Sequence, residues 1–175
     1  MTSLALGALA LVAALLLAVI AWRLRARAGI SGRIIASDGP VARPSRILRS
    51  AYSGISGKPD YLVEEHGRIV PVELKPTRRS ATPWLRDVVQ LAAYCLLLEE
   101  TEARFGGYGY LRYADRSFRI DFTDSLKAEL LQTVAALRAD LSAADVEPNH
   151  ADPRRCARCA LRVPCGRALV AGAGA

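Results

Sequence analysis

Three residues set the chemical question: Asp60, Glu73 and Lys75. They flank two short strand-like runs, Asp60 to Glu65 and Arg68 to Lys75, with His66 and Gly67 as the turn between them. Centring the turn between His66 and Gly67 pairs Glu65 with Arg68 and, counting outward, Asp60 with Glu73. Residues opposed in an antiparallel pair project to the same side of the sheet. Lys75, two positions beyond Glu73, shares that side. Two acids held face to face repel unless a cation sits between them. Hard oxygen donors suit Mg²⁺ or Mn²⁺. An adjacent ammonium suits orienting a water or meeting charge that develops on a phosphate. The chemistry such a set serves is metal-assisted cleavage of a phosphate ester. The plain alternative is an exposed hairpin with ordinary salt bridges, since an Asp followed by Glu-x-Lys recurs by chance.

A second group of candidate ligands lies near the C-terminus. Cys156, Cys159 and Cys165 are spaced as C-x2-C-x5-C, and clustered thiolates suit iron–sulfur or zinc. His150 is a possible fourth donor to zinc. Five arginines and no acid fall between Pro153 and Arg167, and the whole chain carries a formal charge of +7. Cations clustered in this way suit a polyanion. The remaining cysteine, Cys95, shares a helical stripe with Val88, Leu91 and Leu98 and reads as a buried free thiol rather than a ligand.

The elements that must position these groups follow from pattern. Residues 3–22, SLALGALALVAALLLAVIAW, contain no charged side chain, which matches a helix crossing a bilayer core of about 30 Å. Arg23, Arg25 and Arg27 follow the apolar run and none precedes it. This predicts a single-pass anchor with its N-terminus outside and the rest of the chain in the cytoplasm, with a cleaved signal peptide as the competing reading. Residues 23–46 read as a basic juxtamembrane linker. The hairpin has apolar residues on both faces, Leu62, Ile69 and Pro71 on one and Tyr61, Val63, Val70 and Val72 on the other, so it is expected inside a sheet. Glu64, Glu65 and Arg68 are expected in water at the turn. A helix is expected from Pro83 to about Glu102, strands over Phe105 to Tyr113 and Ser117 to Phe122, and a helix from an N-cap at Thr123 to about Val146. That order predicts an α/β domain over 47–147, a mixed sheet flanked by helices, followed by a cysteine-rich basic lobe over 148–168.

Taken together, the run Ser56-Gly57-Lys58-Pro59-Asp60-Tyr61, the run Pro71-Val72-Glu73-Leu74-Lys75 and the run Gln90-Leu91-Ala92-Ala93-Tyr94 resemble the PD-(D/E)XK nuclease superfamily. Within it, the chain is similar to the RecB-like CRISPR-associated exonucleases that work in spacer acquisition. The resemblance covers about residues 45–168. It implies a restriction-endonuclease-like fold in which Asp60, Glu73 and the Leu74 carbonyl bind a divalent metal. It also implies that Lys75 is the catalytic lysine and that Gln90 and Tyr94 form a helical motif supporting the site and DNA. Tyr110 falls in a strand where the family often has another aromatic. The cysteine trio matches the family's [4Fe–4S] ligands. Two departures stand out: no histidine precedes Asp60, and no cysteine precedes Cys95. His66, in the turn, reads as a surface residue.

The expectation is therefore a membrane-anchored, metal-dependent DNA nuclease acting on single strands or ends. Its implied partners are DNA, the membrane and proteins of CRISPR adaptation or other DNA processing. Two rivals belong to other classes: a DNA-binding module without catalysis, and a membrane scaffold in which the cysteines form a structural zinc knot.

Overall fold

A computed structural model of the chain describes residue 7 and residues 10–19, 29–30, 32–37, 43–148 and 150–169. The chain divides into two compact units, Met1–Gln132 and Thr133–Ala175. The first holds a six-stranded mixed sheet in the order β2-β1-β5-β6-β7-β8, plus a separate two-stranded ribbon, β3 and β4. The strands are β1 (Arg33–Ser37), β2 (Arg43–Pro44), β3 (Leu48–Arg49), β4 (Ser56–Gly57), β5 (Tyr61–Glu65), β6 (Arg68–Lys75), β7 (Tyr108–Tyr113) and β8 (Ser117–Asp121). Beyond the helical residues 10–19, the helices among the described residues are α1 (Leu85–Thr101), α2 (Asp124–Ser142) and α3 (Pro153–Ala157).

The hairpin forms in the expected register, from Glu65↔Arg68 to Tyr61↔Val72. His66 (φ 50°) and Gly67 (φ 74°) both take positive φ. That is the backbone a two-residue turn needs to match the twist of its strands. β6 is central, antiparallel to β5 and parallel to β7. It contains Pro71, a residue normally excluded from central strands because it cannot donate. The exception has a local reason. Ile69 accepts from Gly106 N–H and donates to the Arg104 carbonyl, so Ile69 turns its polar groups toward β7. By alternation Pro71 faces the same way. There the parallel ladder is interrupted, between the Ile69↔Phe105 bridge and the Val72↔Tyr110 pair, so the missing N–H breaks no rung.

α1 connects β6 to β7 and packs on one face of the sheet. Leu91, Cys95 and Leu98 from the helix meet Leu62, Ile69, Leu111 and Tyr113 from the strands. Gly109 makes the contact possible, because a Cβ there would lie 2.8 Å from Leu91 Cδ1. The opposite face gathers Val63, Val70, Val72 and Tyr110.

Three expectations need correction. Residues 23–46 are not all linker: β1 pairs antiparallel with β5 and β2 runs parallel to β1. Arg33–Ser37 is too short, and too weakly alternating in its burial, to announce a strand. The neighbouring Gly32 is a point of close approach, since a Cβ on it would lie 3.0 Å from the Glu64 carbonyl oxygen and Val63 Cβ. Glu65 does not face water but is buried, accepting from Tyr108 Oη at 2.5 Å and Tyr110 Oη at 3.0 Å. And α2 ends at Ser142, short of Val146, although Thr123 Oγ1 does cap it by accepting from Leu126 N–H at 3.2 Å.

The apolar run at 3–22 lies partly outside the described residues. Residues 10–19 are helical and exposed. Among the described residues no helix is long and apolar enough to cross a membrane.

Candidate active site

The site forms where β5 begins and β6 ends. Asp60 lies one residue before β5, so no backbone rung continues the ladder there. Its side chain takes the place of that rung: Asp60 Oδ2 accepts from Leu74 N–H at 2.8 Å. The same alternation that turns Ile69 and Pro71 toward β7 turns Leu74 toward β5. The Leu74 carbonyl is therefore directed to the Asp60 side of the strand. Glu73 and Lys75 project onto the face covered by α1.

Four polar side chains interlock on that face. Lys75 Nζ donates to Glu73 Oε1 at 2.7 Å and to Gln90 Oε1 at 3.0 Å. Gln90 Nε2 donates to Glu73 Oε1 at 2.7 Å and to Tyr94 Oη at 3.0 Å. Gln90 and Tyr94 stand four apart on α1 and so share a helix face. Gly57 gives the Tyr94 ring its place, since a Cβ on Gly57 would lie 2.8 Å from Tyr94 Cε1.

Electrostatics follow from burial and from these partners. Glu73 is only 4% exposed. Desolvation, reinforced by the negative charge of Asp60, holds its pKa above the ordinary value in spite of Lys75. For Lys75, burial acts to lower the pKa, but the Glu73 carboxylate outweighs it and the net shift is upward. Lys75 is thus a committed ammonium, suited to hold anionic oxygen and unsuited to take a proton at neutral pH. Burial raises the Tyr94 phenol as well, which keeps it a neutral hydroxyl.

Two facing carboxylates, one of them desolvated, and a backbone carbonyl on the same side are the donor set of a hard divalent cation. Asp60, Glu73 and Leu74 fit such an ion in kind. Among the described residues no group of three or more His, Cys, Asp or Glu side chains is gathered as a metal site.

The cysteine trio lies in the second unit and is not drawn together. Cys156, on α3, is buried and accepts from Leu169 N–H at 3.3 Å, whereas Cys159 and Cys165 are exposed. His150 Nδ1 accepts from Asp152 N–H at 3.3 Å. The three thiols are donors of the right type for a soft metal, but their arrangement here does not converge on one. Cys95 is buried in the α1 core with its thiol pushed upward by desolvation. His66 is exposed at the turn, six residues, or about 20 Å of extended chain, from Asp60. Tyr110 belongs to the opposite face of the sheet, bound to Glu65.

A further cluster beside the site escaped the sequence reading. Asp87, 2% exposed, accepts from Arg78 and, at 2.5 Å, from Tyr113 Oη. Tyr113 Oη in turn accepts from Trp84 N–H at 2.9 Å. Burial acts to raise the Asp87 carboxyl, but Arg78 and Tyr113 hold it below its ordinary range. Helical spacing could have flagged it, because Asp87, Gln90, Leu91 and Tyr94 lie at three- and four-residue intervals.

A pH dependence follows for the metal-free protein. An acid whose folded pKa lies above 4.5 contributes stability that is present below that value and is lost as pH rises through the folded pKa. Glu73→Gln removes this loss. In EDTA at neutral pH the variant is expected to melt above the wild type, and the gap should close as pH falls below 4.5. With Mn²⁺ added, only the wild type should gain stability. Thermal melts across pH check this, and a variant that melts below the wild type at neutral pH contradicts it.

The sequence profile of the PD-(D/E)XK nuclease superfamily matches residues 3–166. A "CRISPR-associated exonuclease Cas4" of Rhodospirillum rubrum is 29% identical over 127 residues, covering 67% of this chain and 37% of that protein. A "CRISPR-associated exonuclease Cas4/endonuclease Cas1 fusion" of the same organism is also 29% identical over 127 residues, covering 67% of this chain and 21% of the fusion. The chain thus spans between a fifth and two fifths of the length of these curated relatives. A solved structure described as "Crystal structure of SSO0001" aligns with a TM-score of 0.44 at 20% identity, over 72% of this chain and 59% of that one. With a match that runs almost from end to end and takes in every strand of the sheet, the chain belongs to the PD-(D/E)XK nuclease superfamily.

Proposed function

We propose that the chain is a divalent-metal-dependent deoxyribonuclease that hydrolyses phosphodiester bonds of single strands or ends. The observation that carries the reading is the meeting of Asp60 and Glu73 at the ladder end, with the Lys75 ammonium 2.7 Å from Glu73. A pure DNA-binding surface has no use for opposed acids, which repel the phosphates it must hold. Asp60, Glu73 and the Leu74 carbonyl would hold Mg²⁺ or Mn²⁺, which supplies Lewis-acid polarisation of the phosphate and a water of lowered pKa. Lys75 supplies positive charge at the developing phosphate anion. Gln90 fixes the Lys75 and Glu73 side chains relative to one another, and Tyr94 fixes Gln90.

Three finer elements belong to the same reading. The relatives' names support a place in CRISPR adaptation or related DNA processing. The uncharged run at 3–22 followed by three arginines supports a single-pass anchor that leaves the nuclease in the cytoplasm. The thiols of Cys156, Cys159 and Cys165 support a soft-metal centre, a [4Fe–4S] cluster or zinc. Two measurements on the full chain test the last two elements. The chain should stay with membranes through alkaline carbonate extraction. The purified protein should carry iron with broad visible absorption, or stoichiometric zinc. Extraction into the supernatant removes the anchor, and a metal-free protein removes the centre.

The nuclease reading predicts DNA degradation that requires Mg²⁺ or Mn²⁺ and falls at least about a hundredfold in Lys75→Ala, the scale of losing one charge-stabilising group. Equal degradation by wild type and variant contradicts it. Salt-sensitive DNA binding with no cleavage in any divalent metal would favour the binding-module rival, which the absence of a histidine before Asp60 motivates.

A further inference from the structure

The loop between β6 and α1 carries an aromatic ring that the fold holds open to solvent. Trp84 immediately precedes α1 and remains 44% exposed. Two guanidinium groups lie over its ring, Arg78 at 4.2 Å and Arg86 at 4.5 Å from the centroid. An exposed tryptophan ordinarily gains by turning inward. Its backbone is fixed in place: the Trp84 main-chain N–H donates to Tyr113 Oη, Tyr113 donates to Asp87, and Asp87 also binds Arg78. The buried Asp87 carboxylate therefore anchors, through Tyr113, the backbone that carries the ring and, directly, Arg78, one of the ring's two cations. Arg86 is itself exposed, so the positive charge it lays over the ring is open to solvent.

The place of this ring relative to the site gives it meaning. Trp84 follows Lys75 on the same connection and precedes Gln90 by six residues, about 9 Å along a helix axis. That is roughly two to three base steps at 3.4 Å per step. A strand whose phosphate sits at Lys75 and Glu73 can bring a base roughly two to three nucleotides away to Trp84. Aromatic rings bordered by arginine hold unpaired bases by stacking, with little regard to sequence, while the cations follow the backbone. A base inside a duplex has both faces covered by its neighbours and offers none to such a ring.

We infer that Trp84, braced by Arg78 and flanked by Arg86, is a stacking platform for an unpaired nucleobase roughly two to three nucleotides from the scissile phosphate. It grips a single strand and discriminates against paired DNA. The inference rests on the nuclease reading for the position of the phosphate. Trp84 and Arg86 are binding groups, and Asp87 is a positioning residue that acts through Arg78 and Tyr113.

The test is binding without turnover, in the full chain carrying Lys75→Ala, with oligodeoxythymidylate and a blunt hairpin duplex as probes. Trp84→Ala is expected to weaken oligodeoxythymidylate binding by roughly tenfold or more, the scale of one base–aromatic stack, with little effect on the duplex. Trp84→Phe should restore most of the affinity, since it keeps a ring. Oligodeoxythymidylate should quench the parent's tryptophan fluorescence and leave that of Trp84→Phe unquenched. Arg86→Ala should reduce the salt dependence of binding. Equal affinity of Trp84→Ala and its parent, or equal weakening by the Ala and Phe variants, would overturn the platform. Because no cleavage is read, this result is separable from the nuclease reading: absent cleavage with Trp84-dependent binding intact counts against the nuclease alone.

Discussion

Two like charges must be kept together. Asp60 and Glu73 are brought face to face by the register of one hairpin, and Glu73 is almost wholly withdrawn from water. Left alone, such a pair separates or takes up a proton. Here each acid has partners that hold it: Asp60 takes the Leu74 N–H, and Glu73 takes the Lys75 ammonium and the Gln90 amide. In the proposed reading, the remaining outward lone pairs of the two acids, with the Leu74 carbonyl, would hold a hard cation. On that reading, the unfavourable energy of the empty pair would be the source of affinity for the ion, and function and a local loss of stability would share one cause.

Much of the fold serves this pairing. The turn at His66 and Gly67 sets the register, and a slip of one residue would turn Glu73 and Lys75 to the opposite face. The interruption opposite Pro71 lets a central strand contain proline. Gly109 lets α1 settle onto the sheet at Leu91, which brings Gln90 within reach of Glu73 and Lys75. Gly57 lets the Tyr94 ring close behind Gln90. Asp87, one turn before Gln90 on α1, ties the start of the helix to β7 through Tyr113 and to the preceding loop through Arg78.

The parts governed by local rules were legible in the chain. A two-residue turn between apolar runs determines its own register, so the opposition of Asp60 and Glu73 could be counted out. The stripe through Leu91, Cys95 and Leu98 announced α1, and Thr123 its successor. What escaped depends on contacts distant in sequence. Arg33–Ser37 has little strand pattern of its own and is a strand because β5 offers it an edge. Glu65 looks like a turn acid and is buried because Tyr108 and Tyr110, far along the chain, donate to it. Trp84 and Arg78 have no motif; Asp87 and Tyr113 give them their arrangement. The cysteine trio shows the reverse case, a clear spacing whose thiols are not gathered in space.

The central claim is that the opposed acids share one divalent ion, and locating that ion tests it most directly. Crystals of the protein grown with millimolar Mn²⁺ should show an anomalous peak between Asp60 and Glu73, about 2.1 Å from an oxygen of each. The Leu74 carbonyl should complete the protein ligands. An absence of any peak between the two acids at that concentration, or an ion held by one acid with the other turned away, would contradict the account.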